Sequence, residues 1–180
     1  MKRKIFISIN IPERAKKELT KTIEKWSDLP VKWVKEANFH ITLFFLGYID
    51  DETTKDVCEK VKIAAQEENI FDLEFDRIEL APEKDDPKMI WLTGAPSEEL
   101  KNLYEKIEKE LDIFRAPKKS FRPHITLGRI RKHKWEDLTE KPEISEKFSL
   151  FVTAETVDIM ASGFGEGESE YALIESCPLK

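Results

Sequence analysis

Apolar positions along the chain change period several times, and each change marks an element. Ile5, Phe6, Ile7 and Ile9 form a short β-branched and aromatic run that predicts a buried strand. After Pro12, the residues Ala15, Leu19, Ile23 and Trp26 recur at three- and four-residue spacing, which predicts an amphipathic helix. Val31 to Val34 predicts a short strand or turn arm, and Phe39 to Gly47 a longer strand ended by the glycine. Asp50, Asp51 and Glu52 put acids at the start of a second helix that carries Val57, Val61 and Ala64 or Ala65 inward. Leu73 to Leu80 and Met89 to Thr93 predict a hairpin turning over Pro82 to Pro87. A third helix follows Pro96, with Leu100, Leu103, Ile107 and Leu111 buried. Pro123 to Ile130 predicts a strand, Trp135 to Glu140 a short helix, and Phe148 to Ala161 with Glu170 to Ile174 a final hairpin.

Inside these elements one word occurs twice. His40-Ile41-Thr42-Leu43 and His124-Ile125-Thr126-Leu127 stand 84 residues apart, in a chain with three histidines. Strand alternation sends the histidine and threonine of each word to one face and the isoleucine and leucine to the other. The same offset, without a gap, lays Ile5 to Ile9 on Met89 to Thr93, Pro12 on Pro96, Leu19 on Leu103, Ile23 on Ile107, and Leu73 and Phe75 on Val157 and Ile159. A doubled scaffold of this kind predicts an α+β fold of two like lobes about an approximate twofold axis, residues 1–180 forming a single bilobal domain. Antiparallel sheets would flank a central cleft that brings the two words together.

Charge sharpens the picture. The chain carries 30 basic and 36 acidic residues, a net charge of −6, yet Arg115 to Lys134 contains eight basic residues and no acid. That segment predicts an anionic ligand near the second word, and Phe121 and His133 within it suit a base stacked beside a held phosphate. The rival reading is a solvated basic surface. The G-rich loop Gly163 to Gly167 joins strand to strand without GxGxxG spacing, so it predicts no dinucleotide site. Cys58 and Cys177 lack metal-type spacing and predict reduced thiols. No apolar run has the length of a signal peptide core or a membrane span.

Two imidazoles flanking a phosphodiester can divide general-acid and general-base work, because an ordinary pKa of about 6.5 allows one to be charged and the other neutral near pH 7. Thr42, Thr126 and nearby arginines would bind the non-bridging oxygens as charge develops. The pattern offers no metal ligand set, since neither word is followed by the carboxylate or cysteine that a zinc site would need. The residues alone do not say which histidine is the acid.

The paired words, the second within Arg122-Pro-His124-Ile-Thr-Leu-Gly-Arg129, resemble those of the two-histidine phosphoesterases, in particular the RNA 2',3'-cyclic phosphodiesterases once called 2'-5' RNA ligases. The resemblance covers nearly the whole chain. It implies a LigT-like bilobal fold and metal-free opening of RNA 2',3'-cyclic phosphate ends, those of tRNA fragments among them, to 2'-phosphomonoesters without a cofactor. It also implies His40 as proton donor to the 3' oxygen, His124 as proton acceptor from water, and Thr42 and Thr126 as phosphate binders. Arg122 and Arg129 are expected phosphate contacts and Phe121 a substrate contact, although ideal alternation sets Arg129 on the face opposite His124. A cytoplasmic monomer with no membrane attachment is expected. Two alternatives stay open: 2'-5' end joining or hydrolysis of another cyclic nucleotide phosphate at the same site, and an RNA-end-binding module without turnover.

Overall fold

The computed structural model describes residues 1–112, 122–163 and 170–180. Among them the β-rich runs form strands β1 (Arg3–Asn10), β2 (Val31–Trp33), β3 (His40–Ile49), β4 (Phe71–Ala81), β5 (Met89–Gly94), β6 (His124–Ile130), β7 (Ser145–Ala154), β8 (Thr156–Ser162) and β9 (Tyr171–Pro178). The amphipathic runs form helices α1 (Glu13–Ile23), α2 (Asp51–Gln66), α3 (Glu98–Glu110) and α4 (Lys132–Glu136). Helix starts follow their capping chemistry: Asp50 accepts from the Thr53 amide at 2.8 Å and Ser97 from the Leu100 amide at 3.1 Å. Both Ala64 and Ala65 of α2 are buried.

The strands make one antiparallel sheet in the order β7-β4-β5-β6-β3-β1-β8-β9, with β2 pairing a further stretch of β6. Among the described residues, its two halves, β7-β4-β5-β6 and β3-β1-β8-β9, are joined in strand pairing at Ile41 opposite Ile125. Apolar faces of both halves pack against α1, α2 and α3, burying Ile7, Leu19, Ile41, Val61, Leu92, Leu103, Ile107 and Ile125 in a common core. Close approach requires glycine at Gly128, where a Cβ would lie 2.5 Å from Val31 Cγ1 as β2 lies against β6.

Several expectations change. Gly47 does not end its strand; it takes φ +77° beside an extra residue, Leu46, and β3 runs on to Ile49. The short helix after the second word starts earlier than expected, at Lys132. The run from Phe148 to Ala161 is two strands broken at Glu155, β7 pairing with β4 in one half and β8 with β1 and β9 in the other. Phe114 to Ser120 and Phe164 to Gly167 lie outside the described residues.

The ungapped 84-residue offset also needs one correction. Thr42 pairs with Ser8 and His40 with Asn10, whereas Thr126 pairs with Trp91 and His124 with Thr93. Relative to the words, β1 therefore matches β5 at an offset of 83, with Ser8 equivalent to Trp91. The connection from β5 to α3 carries the extra residue, because Leu19 and Leu103 remain buried at the larger offset.

Candidate active site

His40 and His124 each open a central strand of the sheet, β3 and β6. An antiparallel register through Ile41 and Ile125 sets His40 against Thr126 and Thr42 against His124. In this arrangement the two isoleucines point into the core while both words turn their polar pairs to the opposite face.

Each imidazole is anchored in the same way. His40 Nδ1 lies 2.6 Å from the Asn38 carbonyl and His124 Nδ1 lies 3.3 Å from the Arg122 carbonyl, in both cases two residues earlier. A carbonyl only accepts, so Nδ1 carries the proton and Nε2 is the nitrogen left for chemistry. His40 Nε2 meets the Thr42 hydroxyl at 2.7 Å.

The rings have unlike surroundings. His40 packs tilted on Phe6 at 5.0 Å between centroids and edge-on to Tyr171 at 5.5 Å. His124 stacks flat on Trp91 at 3.9 Å with an interplanar angle of 18°. Burial lowers the His40 pKa below the ordinary histidine value, the Asn38 carbonyl opposes that shift, and the positive charges of Lys16 and His124 add to it.

His40 lines one cavity, and a second cavity shares Phe6, Asn38 and Tyr171 with it. One is a groove of about 540 Å³ containing Lys4, Lys32, Lys35, Arg129 and Arg131, with Trp33 and Phe45 among its aromatic residues and no acid among the described lining. The other is a recess of about 160 Å³ containing Ser8, Asn10, Lys16 and Asp158.

Arg129 reaches the groove because β6 carries an extra residue, Leu127, between the pairs Trp91 with Thr126 and Ile90 with Gly128. This bulge reverses the alternation and turns Arg129 to the side of His124, contrary to the ideal-strand expectation. The matching extra residue in β3 is Leu43, and it brings Phe45 to the same groove. Arg122 is exposed, and its Nε donates to the Gly94 carbonyl at 3.2 Å. Phe121, Arg115, Lys118 and Lys119 lie outside the described residues. Lys132 takes a different course from Arg129 and Arg131: it faces Glu136 at 3.8 Å and lines a cavity with Asp85, Asp86 and Glu143.

Comparison with known proteins supplies the family. The model of the 2'-5' RNA ligase superfamily matches residues 12–162. The chain belongs to that superfamily. It is 32% identical over 140 residues, 75% of each chain, to a Thermotoga maritima protein named RNA 2',3'-cyclic phosphodiesterase. A Methanocaldococcus jannaschii protein of the same name is 30% identical over 143 residues, covering 77% of this chain and 80% of that one. Two solved structures share the fold. A Thermus thermophilus crystal structure matches with a TM-score of 0.80 at 22% identity over 98% of this chain and 97% of that one. The E. coli LigT structure in complex with 3'-AMP matches with 0.79 at 22% identity over 99% of both.

The words His40 to Leu43 and His124 to Leu127 were legible in the sequence, but Phe6, Lys16, Asn38, Trp91, Tyr171 and Asp158 were not. Trp91 carried a weak signal, as an indole in a strand where the neighbouring Ile90 and Leu92 are wholly buried. Lys16 looked like one more solvated lysine of α1, yet it is 5% exposed. Among the described residues, no three His, Cys, Asp or Glu side chains gather as a metal site would require.

Proposed function

We propose that this protein hydrolyses RNA 2',3'-cyclic phosphate ends to 2'-phosphomonoesters, with His40 and His124 as its acid and base. The observation that carries this reading is the pair of imidazoles set about the Ile41–Ile125 junction, each tied by Nδ1 to a carbonyl two residues back. The names of the two relatives above support the substrate.

In the proposed reaction a water oxygen attacks phosphorus while Nε2 of neutral His124 takes its proton. The bond from phosphorus to O3' breaks, and Nε2 of protonated His40 gives its proton to O3'. The product keeps the phosphate on O2'. Thr42, Thr126, Arg122 and Arg129 bind the non-bridging oxygens, which gain charge in the transition state. Burial biases His40 toward the neutral form. A bound phosphodiester anion supplies negative charge beside it, which opposes the repulsion from Lys16, so the imidazolium forms as substrate docks. No step calls on a metal or cofactor, and one chain supplies every group, consistent with a monomer acting on RNA in the cytoplasm. Among the described residues no helix is long and apolar enough to cross a membrane.

The test is incubation of an oligoribonucleotide ending in a 2',3'-cyclic phosphate with the protein in excess EDTA, followed by separation of the product isomers. A 2'-phosphate product formed at the rate seen without chelator is expected. A 3'-phosphate product would reverse the leaving oxygen, and loss of rate restored by added zinc or magnesium would overturn the metal-free chemistry.

A further inference from the structure

The recess that His40 lines and the neighbouring groove differ in charge, and a cyclic phosphate end is itself asymmetric. Such a phosphate closes the chain, so phosphodiesters continue from it in one direction only. Lys4, Lys32, Lys35, Arg129 and Arg131 fit that polyanion, and exposed Phe45 with Trp33 offers stacking faces along it. The recess does not suit phosphate, because Asp158, only 8% exposed, lines it. What a terminal nucleotide presents away from its chain is a flat, neutral base with a polar edge.

Size and chemistry both constrain that base. A closed apolar cavity of about 150 Å³ takes one benzene ring. A recess of about 160 Å³ therefore suits the single ring of a pyrimidine better than a purine. The Asp158 carboxylate is held by the Ser176 hydroxyl, which donates to Oδ1 at 2.6 Å, and both oxygens keep lone pairs for a donor. Lys16 is steadied by Glu13 at 3.1 Å and retains N–H donors. Cytosine matches this pair, offering its amino group to the carboxylate and its O2 and N3 acceptors to the ammonium. Uracil places a carbonyl oxygen where cytosine has the amino group, facing the carboxylate with a second acceptor.

We infer that the recess bounded by Ser8, Lys16, Asp158 and Tyr171 is the subsite for the base of the terminal nucleotide, and that it selects cytosine over uracil. This rests on the proposed reaction for the placement of the cyclic phosphate. Ser8 makes the subsite possible: its counterpart in the other half is Trp91, whose indole lies against His124.

The experiment compares kcat/KM for four oligoribonucleotides that differ only in the base bearing the cyclic phosphate. Cytosine is expected to exceed uracil by about tenfold, with both purines below cytosine. Asp158→Asn should erase or invert the pyrimidine preference, because a carboxamide can donate to the uracil carbonyl. Ser176→Ala, which frees the carboxylate, should weaken the preference and serves if the first variant fails to fold. Equal kcat/KM for all four ends, or a cytosine preference that survives Asp158→Asn, would overturn the inference. Calorimetric binding of cytidine and uridine 2'-monophosphates separates it from the proposed reaction. Tighter binding of the cytidine compound without any hydrolysis of cyclic ends would leave the recess standing and remove the reaction, whereas active hydrolysis with equal binding would do the reverse.

Discussion

The two halves of the sheet present the same word on the same strand with the same carbonyl anchor, yet they surround it differently. In the first half the anchor is short, 2.6 Å, and the ring packs in a cluster with Phe6 and Tyr171, which also touch each other, with a polar recess alongside. In the second the anchor is longer, 3.3 Å, and an indole covers one face of the ring. The residue opposite the threonine accounts for much of this difference, serine in β1 and tryptophan in β5. A near-symmetric frame thus places two chemically identical groups, and the neighbouring strands make them unequal, as an acid and a base need to be.

The sharpest way to break the comparison is to remove each imidazole. His40→Ala and His124→Ala should each lower kcat by about 10²–10⁴-fold with the urea midpoint of unfolding little changed, and the double variant should lose little beyond the worse single one. Retention of the wild-type rate by either variant would take that histidine out of the reaction. Trp91→Ser makes the second half imitate the first. It should free the His124 ring and lower kcat by about 10²-fold, whereas Trp91→Phe, which keeps a flat face, should recover most of the rate.

A gentler change tests the groove. Replacing Lys32, Lys35 and Arg131 together with glutamine should raise KM for an oligonucleotide about tenfold and flatten the salt dependence of its binding. Turnover of a cyclic mononucleotide should suffer much less, and an equal loss there would mean that the three cations act on the reacting phosphate.

The smallest expected effect decides which half holds the acid. Lys16 lowers the His40 pKa, so Lys16→Met should raise it. Among the other groups facing His40, His124 adds to the lowering whenever it is itself protonated, and Tyr171 packs edge-on at 5.5 Å with the Arg129 charge acting on its phenol. If His40 must be protonated, activity is lost as pH rises through its pKa, and the variant should move the alkaline limb of kcat/KM upward by a fraction of a pH unit. A shift of the acidic limb instead would make His40 the base.

The sequence disclosed the parts of this site that rest on local rules. Alternation and the doubled word placed His40, Thr42, His124 and Thr126, and helical spacing placed Leu19, Val61 and Leu103 in the core. It could not disclose pairings between distant strands. Ser8, Trp91 and Asp158 owe their positions to the order β5-β6-β3-β1-β8, and nothing in their own surroundings in the chain points toward a histidine. The break at Glu155 was hidden for the same reason, since β7 and β8 are equally apolar in pattern and differ in the half they join. The basic segment was a partial guide: Arg129 and Arg131 reach the groove, but Lys4, Lys32 and Lys35 come from β1, β2 and the turn after it.

The extra residues Leu43 and Leu127 act as phase shifters in the polar alternation of their strands. Upstream of each, odd and even positions have one meaning, and downstream they exchange it. Deleting Leu127 would remove the bulge and restore plain alternation, so that His124, Thr126 and Arg129 still share one side, at the cost of a fully buried leucine side chain. The odd step of five residues from His124 to Arg129 therefore places both on one side only because Leu127 is held in the bulge, and an inserted residue not absorbed by a second bulge would turn Arg129 to the helix side.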